Sequence, residues 1–249
     1  MPPTMPTKRD DGPTSAFRSD ADNGRSWSRC AWAVFGKDVQ IELRTRYAVG
    51  AVLLFAVTTL VAVSAAVGGA GVQSDVKAAL LWVVLLFAAL SGLARAFVRE
   101  EEAGTAAALR LAAPATAVYA GKWLFNLFLT FAVEIVGVPL FLVILPPSNV
   151  NFSLLLGVLL LGGLSLSSAA TFVAALIAQA SSGKSALFFI VAFPILLPAL
   201  LMAVQATRGA FMDVPFFHSQ AVTDLGLLGA YAVVMTTSSF LLFGLVWND

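Results

Sequence analysis

Residues Trp123–Leu145 read WLFNLFLTFAVEIVGVPLFLVIL, with Glu134 the single acidic or basic side chain among them. The hydrocarbon core of a bilayer is about 30 Å thick, and a helix needs about 20 mostly apolar residues to cross it. Inside lipid the backbone must satisfy its own hydrogen bonds, so such a stretch spans as a helix or as part of a closed barrel. The stretch lacks the period-two alternation of a barrel strand, and a helix is predicted. Working outward, Tyr47–Gly68, Ala78–Ala94, Phe152–Ala178, Ala186–Thr207 and Val222–Trp247 read in the same way. Six spanning helices are expected.

Composition agrees. Of 249 residues 59% are hydrophobic and 12% charged, against about 25% charged in a soluble domain. A soluble enzyme, a disordered chain and a collagen-like chain are excluded on this count. A net charge of +1 does not provide the basic stripe that nucleic acid requires. The single Cys30 excludes an internal disulfide framework and a cysteine-built metal site.

Orientation follows from the lysines and arginines. Eight precede Tyr47, four (Arg95, Arg99, Arg110 and Lys122) lie between spans two and three, and Lys184 lies between spans four and five. Only Lys77 and Arg208 fall on the other side. Both termini are therefore expected in the cytoplasm, and an even number of spans fits that placement. Residues 1–46 lack the apolar core of a signal peptide. Residues 1–26, rich in Pro, Thr, Ser, Asp and Gly, are expected to be disordered.

Two connectors carry pattern. In residues 27–46, Trp32, Phe35, Val39 and Leu43 recur at helical spacing. Lys37, Asp38, Gln40, Glu42 and Arg44 fill much of the remainder, as in a helix lying in the membrane interface. A cytoplasmic extension of span one is the alternative. In residues 95–122 the run Glu100, Glu101, Glu102 precedes Gly104 and an alanine-rich stretch that ends at Pro114. Like charges in series are solvated, paired or placed at a helix start. The segment reads as a short cytoplasmic helix, either a solvated connector or a docking element for a soluble partner.

Candidate chemistry is sparse. Glu134 stands near the middle of span three, where a carboxylate costs at least a few kcal/mol unless it faces protein or water or is protonated. A gating element, a proton site, a contact to a partner subunit and a protonated packing residue all fit. His218, the lone histidine, lies with Met212 and Asp213 in the expected outside loop Arg208–Ala221. It is a weak haem-ligand candidate. Pro194 and Pro198, one turn apart in span five, each remove a backbone donor and permit a kink. Span four is crowded with glycine, serine and alanine, which allow close helix approach. Ser181–Ser185 contains Gly183 and Lys184 but has Ala178 where a P-loop needs its first glycine, so ATP would have to be bound by another chain. No catalytic residue, bound cofactor or metal site is assigned.

The order of six spans with a cytoplasmic helix after the second resembles the membrane domains of type-2 ABC exporters. In these a coupling helix sits on a separate ATPase. Phe97–Gly104 looks like the coupling signature of aromatic, charged cluster and glycine. More specifically, the chain resembles the CcmB family, haem exporter protein B of cytochrome c maturation. Lys37–Arg46 looks like that family's opening motif, and Phe97–Pro114 like its cytoplasmic segment. Phe193–Pro198 resembles its doubled-proline fifth span, and Val246–Asp249 its C-terminus. The resemblance covers about residues 31–249.

It implies a non-catalytic permease subunit of the bacterial inner membrane, alone or as a homodimer, with Arg99, Glu100, Glu101, Glu102 and Gly104 engaging a CcmA-like ATPase. That partner would hold ATP and Mg²⁺. A CcmC-like haem-handling protein and a CcmE-like haem chaperone would be further partners, with haem as a possible cargo. A type-2 permease for a lipid, drug or polysaccharide is the alternative. A secondary transporter or scaffold is a third reading, although no internal repeat is evident.

Overall fold

The computed structural model describes residues 14–45, 47–67, 72–93, 113–178, 184–212 and 215–248. Their order is α1 (Thr14–Thr45), α2 (Tyr47–Val67), α3 (Ser74–Leu93), α4 (Ala115–Ile144), α5 (Phe152–Ala178), α6 (Lys184–Phe211) and α7 (Pro215–Asn248). Among the described residues there is no strand.

Each expected span coincides with one of the helices α2 to α7. By length and apolarity four stretches are able to cross a bilayer: Ala115–Ile144, Phe152–Ile177, Ile190–Phe211 and Ser219–Phe243. Leu53–Ala66 forms a shorter apolar helix. Among the described residues, four helices are thus long and apolar enough to span, against the six spans expected.

The helix ends follow local chemistry. Pro114, extended at φ −63° and ψ 144°, caps α4, and its carbonyl accepts from the backbone of Ala117 and Val118. Pro146 and Pro147 follow the end of α4 and cannot continue a helix. Asn151 caps α5: its Oδ1 accepts from the Leu154 backbone at 3.2 Å, the standard means of satisfying an orphan N-terminal donor. The Asn151 backbone donates to the Ala210 carbonyl at 2.8 Å, tying the start of α5 to the end of α6. Pro215 opens α7 in the first helical position, where its missing N–H costs nothing.

Around the core, α5 packs on α4, α6 and α7. Trp82 of α3 is fully buried. Its indole donates to Thr207 Oγ1 of α6 at 2.7 Å, and its ring lies where a Cβ on Gly162 of α5 would stand. Three helices meet at that tryptophan. The outer wall is apolar: Leu54, Val61, Ile135, Val143, Ile190 and Leu241 are exposed. In water such a surface is an aggregation liability, whereas in lipid it is the solvated face.

Three boundaries differ from expectation. Helix α1 begins at Thr14, so residues 14–26 carry helical backbone where disorder was expected; residues 1–13 lie outside the described residues. Residues 208–211 and 215–221 of the expected outside loop Arg208–Ala221 belong instead to the ends of α6 and α7; residues 213 and 214 lie outside the described residues. The tail of the expected coupling segment, 115–122, forms the first two turns of α4, because Pro114 starts a helix as readily as it ends one.

Candidate functional site

Helix α1 lies on α4 far more than on α2, to which it is joined. Gly121 permits this. A Cβ there would stand 2.6 Å from Val34 Cβ and 2.7 Å from the Ala31 carbonyl, so only glycine lets the two backbones come this close. The face that α1 turns inward is not the apolar stripe of the sequence reading. Ala31, Val34, Asp38 and Glu42 are buried, while Trp32 is 62% and Leu43 64% exposed. The helix docks through its acidic side because a cation waits there.

That cation is Lys122. Its Nζ is 2.9 Å from Asp38 Oδ2, and its side chain is 2% exposed. Lys37, half exposed, stands 3.6 Å from the other carboxylate oxygen. Trp27 of α1 adds a bond from its indole to Thr116 Oγ1 at 2.9 Å. By sequence alone Lys122 is one of the charges that orient the chain. The structure buries it, since α1 folds over it and supplies the counter-ion that burial demands.

Lys122 is also the first rung of a polar ladder. Asn126, Thr130 and Glu134 follow at four-residue spacing on α4, and all four are buried. Asn126 Nδ2 donates to Thr171 Oγ1 of α5 at 2.8 Å, and Thr171 in turn donates to the Ser167 carbonyl. Thr130 Oγ1 donates to the Asn126 carbonyl at 2.9 Å. Beside the ladder, the Trp123 indole donates to Ser168 Oγ at 2.9 Å. Ser168 shares a 2.9 Å bond with Thr236 of α7. The serines and threonines of span four therefore do more than allow close approach: they receive the polar side of α4.

Glu134, 5% exposed, presses its carboxyl on Gly163 of α5, where a Cβ would lie 2.7 Å from Oε1. Its Oε1 and the Oδ1 of Asn126 are buried without a hydrogen-bond partner. The sequence reading found Glu134 and missed the ladder, although the spacing Lys122, Asn126, Thr130, Glu134 is visible in the chain. It also missed Asp224 of α7, which is buried with Oδ2 unpartnered among the described residues; its Oδ1 receives a long 3.4 Å contact from Gln220.

The opposite end of the bundle is closed by other contacts. Arg208 Nε of α6 meets Asp75 Oδ1 of α3 at 2.9 Å, and Lys77 Nζ donates to the Pro146 carbonyl. Lys77 and Arg208, grouped by the sequence reading, therefore stand together, at the end remote from Lys122.

Of the remaining candidates, Pro194 and Pro198 lie inside a continuous α6. His218 lies in the first turn of α7 rather than in a loop; its side chain is outside the described residues. Arg99, Glu100, Glu101, Glu102 and Gly104 also lie outside them. Among the described residues no group of three His, Cys, Asp or Glu side chains could hold a metal ion.

An all-helical bundle with an apolar outer wall, an interior polar ladder and a docked N-terminal helix is an integral membrane protein of several spans. The family model described as CcmB protein matches residues 29–243, most of the sequence, and the chain belongs to that family. No curated protein matches it.

Proposed function

We propose that this chain is the permease subunit of an ABC transporter complex of the bacterial inner membrane that serves cytochrome c maturation. Membership of the CcmB family over residues 29–243 carries this reading. A separate CcmA-like ATPase binds and hydrolyses ATP, and this chain is the non-catalytic partner that converts nucleotide-driven closure into movement of its helices. The coupling contact is Arg99 with Glu100, Glu101 and Glu102, ahead of Gly104. A helix end rich in carboxylates offers charge-assisted hydrogen bonds to a soluble partner. The output is haem export or release of a haem-loaded CcmE-like chaperone, with a CcmC-like protein as the haem-handling neighbour.

The packing of α1 supports a route for that movement. Residues 95–112 precede α4 in the sequence, and the first turns of α4 are clamped to α1 by the Lys122–Asp38 pair and by the close approach at Gly121. Force applied before Pro114 would reach α4 and α1 together, and from α4 the centre of the bundle.

Reversing Glu100 and Glu101 to lysine tests the proposal. Interfacial charge pairs contribute strongly to docking, so the ATPase should cease to co-purify in mild detergent while the membrane abundance of this chain stays unchanged. Normal association in the double variant would refute the coupling role. Recovery of an ATPase from a glycan or drug-resistance system in place of the cytochrome c one would move the cargo to the second type-2 reading.

A further inference from the structure

We infer that the seam between α4 and α5 is a water-binding site: ordered waters bridge Asn126 to Thr130 and Thr130 to Glu134. They give the Glu134 carboxyl a proton-exchange route toward the Lys122 end of the bundle. This inference does not depend on the transport reading.

The hydrogen-bond directions fix which atoms are left over. Thr171 spends its hydroxyl proton on the Ser167 carbonyl, so toward Asn126 it can only accept. The Asn126 amide must then present Nδ2 to Thr171, which leaves Oδ1 as an unpartnered acceptor. Thr130 spends its proton on the Asn126 carbonyl and keeps its lone pairs. Glu134 Oε1 is a further unpartnered acceptor. The seam is therefore rich in acceptors and short of donors, and all three side chains are more than nine-tenths buried. Buried polar atoms in folded proteins are almost always paired, often through internal water.

Spacing selects water over an ion. Successive rungs are four residues apart, an axial rise of about 6 Å. One bridging water spans about that distance, through two hydrogen bonds of about 2.8 Å each. Asn126 and Glu134 are two such steps apart, too far to ligate one cation together. Water also supplies two donors without bringing a charge into the bundle.

The direction of the route follows from what lies beyond each end. Past Glu134 the same register continues with the apolar Val138 and Leu142, so the polar file stops. In the other direction it continues through Lys122 and Asp38 to Lys37, whose side chain is 40% exposed. Each exchange turns the Thr130 hydroxyl from the Asn126 carbonyl toward a bridging water. Thr130 accepts a proton from one water as it passes its own to the other, while Asn126 Oδ1 only accepts hydrogen bonds, so protons are swapped and no net charge moves.

The test is infrared spectroscopy of the purified full-length protein in H₂O and D₂O, with the Glu134 signal isolated by subtracting the Glu134→Gln variant. The expected result is a carboxylic acid band of Glu134 that shifts on transfer to D₂O within minutes. In Thr130→Val, which keeps the shape but removes the relaying oxygen, exchange should slow at least about tenfold. Absence of a Glu134 acid band, a band that fails to shift, or equal exchange in Thr130→Val would overturn the inference. If Thr130→Val does not accumulate, a water-resolving cryo-EM map of the wild-type protein in nanodiscs, bound to an antibody fragment, decides the question. Density between Thr130 and Glu134 supports the site, and a dry seam overturns it.

Discussion

A buried ion pair helps to hold α1 on α4. Lys122 is nearly inaccessible and meets Asp38 at 2.9 Å. Removing one partner of such a pair strands the other charge, typically at about 3–5 kcal/mol, whereas an exposed pair contributes about 0–1 kcal/mol. Lys122→Met should therefore lower the thermal midpoint in detergent sharply, and Lys37→Met, at a half-exposed partner of the same carboxylate, should barely move it. Adding Asp38→Asn to Lys122→Met should restore part of the loss by neutralising the stranded carboxylate. Equal midpoints for the two single lysine variants, measured by scanning fluorimetry, would contradict the pair's structural role. Both residues were plain in the sequence, but their union was not. Lysine at the cytoplasmic margin of a span reads as an orientation signal until another helix is known to cover it.

At the scale of the element, α1 shows an amphipathic pattern whose apolar face is legible in the sequence and whose docking face is not. Trp32, Phe35, Val39 and Leu43 share a face, as their spacing requires. The bundle takes the adjacent acidic face instead, and Trp32 and Leu43 point outward. Phe35 makes an edge contact with Phe128 at 6.3 Å between ring centroids, and Phe128 is itself exposed on α4. The stripe thus continues the apolar wall, which fits a helix resting in the interface with its charged side held by protein. A fluorophore attached at position 32 through a cysteine, in a Cys30→Ser background, should be quenched by lipids brominated near the headgroup. The same label at Gln40, exposed on another side of α1, should be quenched less. Equal quenching at both positions would place α1 away from the bilayer. Helix α4 carries a parallel lesson. Its apolarity was legible and so was Glu134, but the role of Asn126 and Thr130 needed α5 alongside, because a hydroxyl or amide in a span has meaning only through the group it meets.

For the whole molecule, the antiparallel run of α4 places Lys122 at one end and the Arg208–Asp75 and Lys77–Pro146 contacts at the other. Among the described residues Lys122 is thus separated from Lys77 and Arg208, as the pattern of basic residues leads one to expect. In intact cells, cysteines introduced at Gly104 and Gln220 should react from opposite sides of the membrane, Gly104 from the cytoplasm and Gln220 from outside. Labelling of Gly104 by an impermeant reagent added outside would reject the topology.

By itself the sequence determined that this is a helical membrane protein, where the apolar cores of its helices lie, and which family it resembles. These properties follow from runs of apolar residues, from basic asymmetry and from local motifs, all of which are written along one chain. The extension of α6 and α7 into the expected outside loop, the inward face of α1, the burial of Lys122 and the partners of the α4 ladder were decided only by tertiary structure. Each depends on which helix approaches which. That is settled by small-residue clefts at Gly121, Gly162 and Gly163 and by the need of buried charges and hydroxyls for partners, neither of which is visible in hydropathy.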